Sequence, residues 1–241
     1  MDYDSYLEAQ KQYSRTISND YTLPADLRRS FAQGVMTAAA DDKALFLFES
    51  REGYTKFRFR LLDPSAKIIA PEGKIAAFLT YRENRFPESE ANWLLMQGFS
   101  KTKSLRRHTA VDIKGNLSLD GLEQASADEA YAMLGGHFSA VEADLPRRDL
   151  FEGALCFRAG GGKLAGVIHL GHRPVLAVSP EARGSGIGQR LYLAYASTKV
   201  RDGRKPVFHA WISPDNSASL FMFKRLGFTA DDVLTDCFVL E

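Results

Sequence analysis

Cysteine is scarce in this sequence, net charge is nearly absent, and no long apolar run occurs. The 241 residues include two cysteines, and the formal net charge is +1. Two cysteines do not make a disulfide framework, so we expect Cys156 and Cys237 to be buried thiols within strands. A charge near zero favours neither nucleic acid nor an anionic membrane as a partner. An acidic, polar N-terminus and the lack of a membrane-length apolar segment predict a cytoplasmic protein.

The composition is that of an ordinary soluble globular protein. Hydrophobic residues make up 45% of the chain and charged residues 25%, and the length permits one large domain or two smaller ones. The segment 114–121 is rich in turn-forming residues and lies between two sets of predicted elements. We therefore expect an N-terminal α/β domain over residues 1–120, without an assigned role, and a second domain over residues 121–241.

Hydrophobic periodicity predicts the elements of the first half. Leu27, Phe31, Val35 and Met36 recur at helical spacing, which indicates that roughly the first 40 residues are helical. Apolar stretches on either side of Arg51-Glu-Gly-Tyr54 predict a β-hairpin. Further strands are expected at residues 74–81 and 109–113, with a short helix at 89–96 between them. The basic stretch 101–108 lacks interleaved aromatic residues, and we interpret it as a solvated face. Contact with nucleic acid is an alternative.

The second half alternates between predicted strands and helices, which indicates a mixed sheet covered by helices. Helices are predicted at residues 127–138, 148–152, 186–200 and 216–226, and strands at 154–158, 164–171, 175–178, 207–211 and 236–240. Three glycines, Gly160 to Gly162, separate the first two strands; they are most simply a hairpin turn, and phosphate binding is the alternative.

One short pattern occurs in both halves. Leu95-Met-Gln-Gly-Phe99 and Lys224-Arg-Leu-Gly-Phe228 each close a predicted helix with Gly-Phe and lead into a strand. The first half is thus either a decayed copy of the second or similar by coincidence, because glycine commonly ends helices.

The most informative segment is a glycine-rich turn between a strand and a helix. A strand at residues 175–178 is followed by Arg183-Gly-Ser-Gly-Ile-Gly188 and then by an apolar-periodic helix. Backbone amides at such a helix start can bind a phosphate. The dinucleotide fingerprint fails here because Gln189 stands where its third glycine belongs, and the Gly-Lys-Ser/Thr of a nucleoside-triphosphate loop is missing.

The pattern Arg-x-x-Gly-x-Gly after this strand resembles the acyl-CoA-binding turn of the GNAT acetyltransferases. The next helix carries a second feature of that family, since Asn216 opens it and Gly227-Phe228 closes it. The resemblance covers about residues 126–241 and implies an α/β (α+β) fold with a mixed, mostly antiparallel sheet flanked by helices. It also implies acetyl-CoA as the cofactor, with no metal. The cofactor-binding residues that it implies are Leu176, Ala177, Val178, Arg183, Gly184, Ser185, Gly186, Ile187, Gly188, Gln189 and Asn216.

In this family, two central strands part and admit the pantetheine arm, which bonds to backbone groups in the manner of an added strand. By resemblance, Leu176 and Val178 would offer these groups, and residues 183–189 would hold the pyrophosphate. Asn216 would bind the arm or lie near the attacking amine, although asparagine is also a common helix cap. As a further alternative to a solvated face, the basic stretch 101–108 would contact the 3′-phosphate of CoA or an acidic acceptor.

The sequence departs from the family pattern at two catalytic positions. Phe223 stands where a tyrosine often protonates the departing thiolate, and Pro174 stands where many members have a glutamate base. If His172 and Arg173 form the loop between two strands, His169 lies opposite Leu176 and could act as the base. A hydrogen-bonded strand histidine is the alternative for His169. Other candidates for the base are His172, Asp215 and water.

These features predict an acetyl-CoA-dependent N-acetyltransferase that acylates a small amine by direct attack in a ternary complex. The competing interpretation is a catalytically silent acyl-CoA-binding module, which Phe223 and Pro174 favour. Transfer of a longer acyl chain is a further alternative. We expect neither nucleic acid nor a membrane as a partner. The N-terminal domain would shape the acceptor site or form the contact of a homodimer.

Overall fold

The computed structural model describes residues 1–13, 17–19, 24–69, 71–116, 118–171, 173–200 and 206–241. Two compact units are present: unit 1 comprises Met1–Ser104 and Val233–Glu241, and unit 2 comprises Leu105–Asp232. None of the helices within these ranges is both long enough and apolar enough to cross a lipid bilayer.

Seven α-helices are described. They are α1 (Tyr3–Gln12), α2 (Pro24–Ala32), α3 (Glu88–Met96), α4 (Ala127–Gly135), α5 (Ala140–Ala143), α6 (Ile187–Lys199) and α7 (Ser217–Arg225). Short 3-10 turns occur at Arg148–Leu150, Gly160–Gly162 and Pro180–Ala182. The start of α4 is a capping box, in which Ser126 and Glu129 each bond the other's backbone amide.

Twelve strands are described. They are β1 (Ile17–Ser18), β2 (Met36–Ala40), β3 (Ala44–Arg51), β4 (Tyr54–Leu61), β5 (Ile75–Arg82), β6 (Ser100–Ala110), β7 (Glu123–Ala125), β8 (Ala154–Arg158), β9 (Leu164–His169), β10 (Leu176–Val178), β11 (Phe208–Ile212) and β12 (Thr229–Leu240).

The sheet of unit 1 has the strand order β6-β12-β5-β4-β3-β2, with β1 on β4. The predicted hairpin is confirmed, because β3 and β4 pair antiparallel up to Arg51 and Tyr54. β4 and β5 pair parallel. An aromatic core, in which Phe57, Phe59 and Trp93 are nearly inaccessible, fills one face of this sheet. Leu45 and Leu47 on the other face pack against α1 and α2.

Unit 2 contains an antiparallel sheet of order β10-β9-β8-β7 and a second group of order β11-β6-β12. One face of the four-stranded sheet packs against α4, and the other packs against α6. The predicted mixed, mostly antiparallel α+β fold is therefore confirmed. Cys156 and Cys237 are both buried free thiols.

Each unit contains part of a strand from the other half of the chain. In unit 1, β12 lies beside β5 and pairs with it over Ile75–Arg82. In unit 2, β6 lies beside β11 and pairs with it from Arg106 to Ala110. The compact units do not divide at residue 120. A division there would leave β6 whole in the N-terminal half and β12 whole in the C-terminal half, whereas unit 2 includes part of β6 and unit 1 includes part of β12.

The predicted elements differ from the structure at several positions. Val35 and Met36 are not helical: Gly34, with φ +65°, ends the turn after α2, and β2 follows. The strand expected at residues 109–113 is β6, which begins at Ser100, and the strand expected at 236–240 is β12, which begins at Thr229. The helix expected at residues 148–152 is a single 3-10 turn.

Candidate active site

The strand β10 is an open sheet edge. Among the described strands it pairs only with β9. The carbonyl of Val175 accepts from the amide of His169 at 2.9 Å, and the amide of Ser179 donates to the carbonyl of Ala165 at 2.9 Å. Because bonding alternates along an antiparallel pair, the backbone N–H and C=O of Leu176 and Val178 point away from β9. The edge thus presents backbone polar groups at Leu176 and Val178, and Ala177 bonds to β9.

The glycine turn leads from this edge into α6. Gly184 and Gly186 have φ of +78° and +83°, values that side chains rarely tolerate, and Gly186 is the N-cap of α6. A Cβ added to either glycine would meet nothing within 4 Å. The first intrahelical bond of α6 is made by Arg190, so the amides from Gly186 to Gln189 have no partner within the helix. This arrangement is suited to binding an anion.

Two residues of the turn use their amides locally. The amide of Arg183 donates to the carbonyl of Pro180, and that of Ser185 donates to the carbonyl of Ala182. The Arg183 side chain is exposed and available for a charge-assisted contact. Hydrogen bonds from its own backbone amide and from Ser179 lower the pKa of nearby Glu181. The charge of this ionised carboxylate offsets the positive charge of Arg183. The amides, rather than net charge, therefore make the turn attractive to an anion.

Close packing fixes the start of α6. A Cβ on Gly188 would lie 3.2 Å from Sδ of Met222 and 3.5 Å from Cγ2 of Val178. The first turn of α6 thus rests directly on β10 and α7, with Ile187 in the same core. This close approach places the helix start at the end of the open edge.

The structure gives Asn216 the role of helix cap. Its side-chain oxygen accepts from the amide of Ser219 at 3.0 Å, at the N-terminus of α7. Phe223, on the same helix, is buried with its ring edge-to-face against Tyr192 at 4.8 Å and Phe228 at 5.0 Å. Burial raises the pKa of the neighbouring Tyr192 hydroxyl.

The strands β10 and β11 are joined through α6 but belong to different sheet groups. β10 is the last strand of one group and β11 the last strand of the other. This separation agrees with the parted strands that the resemblance implies. Residues 201–205, between α6 and β11, lie outside the described residues.

The register corrects the expectation for His169. Leu176 lies opposite Ile168, and His169 lies opposite Val175, which is a shift of one residue. A shift of one residue reverses the face, so His169 shares the α4 side with Ala177 and does not lie beside Leu176. The ring is buried, stacks on Phe151 at 5.1 Å and accepts from the amide of Gly171 at 3.3 Å. His172 lies outside the described residues, so its expected place in the loop is not described.

A polar cluster lies on one face of β11 and β6. Arg107 and Thr109 both donate to Asp231 Oδ2, at 2.7 and 2.9 Å. The guanidinium of Arg173 lies 5.7 Å from the ring of Trp211, in cation–π geometry. The alternation of buried Phe208, Ala210 and Ile212 with more accessible residues along β11 is the sequence signal for this face.

Comparisons with known proteins bear on this site. The family described as FR47-like protein matches residues 164–239, a range that includes β10, the glycine turn and Asn216. A mycothiol acetyltransferase from Nocardiopsis dassonvillei is 31% identical over 124 residues, covering 49% of this chain and 35% of that protein. The match thus spans about a third of the curated relative.

Two solved structures share the fold over most of the chain. A putative GNAT acetyltransferase from Novosphingobium aromaticivorans has a TM-score of 0.54 at 14% identity, covering 86% of this chain and 92% of that one. A putative acetyltransferase from Pyrococcus horikoshii has a TM-score of 0.55 at 9% identity, covering 100% and 87%. At these identities they speak for the fold alone. The FR47-like match over residues 164–239, the acetyltransferase relative and the shared fold together confirm the predicted resemblance of the C-terminal half to the GNAT acetyltransferases.

Proposed function

We propose that this protein is an acetyl-CoA-dependent N-acetyltransferase acting on a small amine. The observation that carries the proposal is the open edge of β10, which runs directly into a helix start with free amides. The outward backbone groups of Leu176 and Val178 would bind the amide arm of the cofactor. The amides from Gly186 to Gln189, with the Arg183 side chain, would hold its diphosphate.

The thioester of acetyl-CoA would supply the activated acetyl group for direct attack by the amine. Leu176, on the open edge, would orient the carbonyl through a backbone hydrogen bond. The amine must lose a proton, and His169 is buried on the α4 side of the sheet, so water is the better candidate for the base. Phe223 has no proton to donate, and the thiolate, with a pKa of about 8.5 for a simple thiol, can leave without an acid.

The small acceptor is proposed from the polar cluster. Arg173 and Trp211 together present a cation and an aromatic ring, and Arg107 and Asp231 present a paired charge. Such a surface can position a small polar molecule that carries an amine.

The competing function is a silent acyl-CoA-binding module. Phe223 favours it, because its buried aromatic cluster leaves no hydroxyl at the position of the usual acid. Thiol release from acetyl-CoA, measured against a broad panel of amines, separates the two. Tight binding of CoA with no turnover on any amine would support the silent module.

A pair of substitutions at Ser185 tests the anion site. Ser185 is exposed in the turn, and aspartate there favours a helix N-terminus while repelling a diphosphate. We expect Ser185→Asp to weaken CoA binding at least about tenfold in calorimetry, since a nearby like charge costs on the order of 1–4 kcal/mol. Ser185→Ala is the matched control and should bind like the unaltered protein. Equal affinity in both variants would overturn the assigned diphosphate site.

A further inference from the structure

The sheet of unit 1 contains a parting of two parallel strands. β4 and β5 pair at only three positions, Thr55 with Ile75, Lys56 with Ala76 and Phe57 with Ala77. Beyond Phe57 the two strands no longer pair, although β4 continues to Leu61 and β5 to Arg82. Two parallel strands that diverge in this way leave a cleft lined by backbone groups.

Residues of the chain itself fill this cleft. β1 pairs antiparallel with the free part of β4, Ile17 opposite Leu61 and Ser18 opposite Arg60. The next residue, Asn19, is 7% exposed. Its amide donates to the carbonyl of Phe59 at 3.3 Å, and Ser18 Oγ donates to the same carbonyl at 2.9 Å.

The side chain of Asn19 connects the two diverging strands. Its Nδ2 donates to the carbonyl of Phe57 on β4 at 3.2 Å and to that of Phe78 on β5 at 3.4 Å. Its Oδ1 accepts from the amide of Phe59 at 2.7 Å. One carboxamide therefore satisfies backbone groups that would otherwise be buried without partners at the point of divergence.

Unit 2 is built differently at the corresponding place. Its short leading strand, β7, pairs with β8 at the far side of the sheet, and the edge of β10 stays open. A further difference follows the strand: β10 leads into a glycine turn and α6, whereas the described residues between β4 and β5 form turns and extended chain. Ala66 in that segment is buried, and its carbonyl accepts from Nε1 of Trp93 at 3.1 Å.

We propose that unit 1 is a second copy of the acyl-CoA-binding sheet whose cleft is permanently filled by Ser18 and Asn19. The chain then binds one acyl-CoA, in unit 2, and the backbone edge of β4 serves as the docking surface for its own N-terminal segment. The proposal rests on the proposed function only for the site in unit 2. It also explains why unit 1 needs neither a glycine turn nor a helix after β4.

Binding stoichiometry is the first test. Native mass spectrometry of the full chain titrated with CoA should show one bound molecule, and Gly186→Val, which disturbs only the turn in unit 2, should show none. Two bound molecules, or one that persists in Gly186→Val, would overturn the proposal.

Hydrogen exchange of individual amides tests, without any ligand, whether Ser18 and Asn19 fill the cleft; these two residues are called the plug below. The Phe59 amide, which donates to Oδ1 of Asn19, should be strongly protected in the unaltered protein, and Asn19→Ala should lose at least about tenfold of that protection. Asn19→Asp keeps the acceptor and should retain more protection than Asn19→Ala. A Phe59 amide that exchanges rapidly in the unaltered protein contradicts the plug even if Asn19→Ala fails to fold.

The two measurements separate the two proposals. If the protein binds no CoA while Phe59 is protected and sensitive to Asn19, the proposed function fails and the plug stands. If one CoA binds in unit 2 and Phe59 is unprotected, the proposed function stands and the plug fails.

Discussion

Phe99 and Phe228 close two helices with the same hydrogen bond. The amide of Phe99 donates to the carbonyl of Leu94 at 3.1 Å, and that of Phe228 to the carbonyl of Phe223 at 3.0 Å. Each follows a glycine in the left-handed region, Gly98 at φ +90° and Gly227 at φ +92°. Each ring is buried and leads into a long strand, β6 or β12. The pattern found in both halves of the sequence is therefore the same local helix closure, and each of the two strands that follow it has residues in both units.

The pairing of β6 with β11 predicts that residues 121–241 alone do not form a stable domain. This fragment lacks β6, which pairs with β11 over five residues in unit 2. We expect it to show no cooperative thermal unfolding by circular dichroism and no binding of CoA. Mixing it with a fragment of residues 1–120 should restore both, because the missing strand is then supplied. A lone fragment that folds and binds CoA would contradict the prediction.

Gly186→Val should abolish CoA binding. Valine at a φ of +83° is strained by about 1–3 kcal/mol, and its side chain would occupy the open space above the helix start. Calorimetry on the folded variant, below its melting temperature, measures the effect. Gly160→Val is the control, since Gly160 also has open space around its Cβ and lies away from the turn. Unchanged affinity in a folded Gly186→Val protein would show that the diphosphate lies elsewhere.

His169→Phe should lower stability and leave the pH dependence of turnover unchanged. The substitution keeps the stacking on Phe151 and removes the acceptor for the Gly171 amide. Leaving that buried amide without a partner costs about 1–3 kcal/mol, to be measured by chemical denaturation. Loss of turnover together with loss of a titration near neutral pH would identify His169 as the base after all.

Phe223→Tyr should keep or raise turnover if only the leaving-group acid is missing. The added hydroxyl can protonate the thiolate, at a stability cost of about 1–3 kcal/mol where it has no partner. Phe228→Tyr is the matched control, because it adds the same hydroxyl to the same aromatic cluster. Thiol release and melting temperature are compared for both variants. A large loss of turnover in Phe223→Tyr at an unchanged melting temperature would mean that the pocket requires the phenyl ring itself.

The carboxyl of Glu129 should titrate far below its ordinary value. Hydrogen bonds from Arg158 and from Ser126 lower the pKa of Glu129 from 4.5 to about 2. Because the folded pKa is depressed, the capping-box contribution to α4 is fully present above pH 4.5 and is lost as the pH falls towards 2. Carbon-13 NMR of the side-chain carboxyl follows this titration. Arg158→Met should bring the pKa back towards 4.5, and an unchanged pKa in that variant would refute the assigned cause.

The elements that the sequence predicts correctly are those whose structure depends on neighbouring residues. Alternation around Arg51-Glu-Gly-Tyr54 is enough for a hairpin, and alternating glycines before an apolar-periodic stretch are enough for the turn into α6. The helix closures at Phe99 and Phe228 are visible for the same reason, since a left-handed position demands glycine.

What could not be predicted depends on partners far along the chain. Lys101 belongs to the basic stretch that was interpreted as a solvated face, and it is exposed. Its Nζ also donates to Asp236 at 2.7 Å, and Asp236 is 0% exposed. Ser104 donates to the other oxygen of the same carboxylate, and burial with Asp236 raises the pKa of Tyr81 to about 12. Polar residues that satisfy one another across strands carry no hydrophobic period. The predicted position of His169 was wrong for a related reason. The register of two strands depends on the length of the loop between them, and a shift of one residue places the side chain on the other face of the sheet.

The pairing of β6 with β11 and of β12 with β5 also limits how the gene could recombine. In a protein whose halves each contain all the strands of their own sheet, recombination can remove one half or transfer it to another gene without leaving a sheet incomplete. Here a crossover near residue 120 would separate β11 from β6 and β5 from β12 at one stroke. Neither half of the sequence therefore contains all the strands with which its own strands pair, so a gene fragment that encodes one half alone encodes an incomplete sheet.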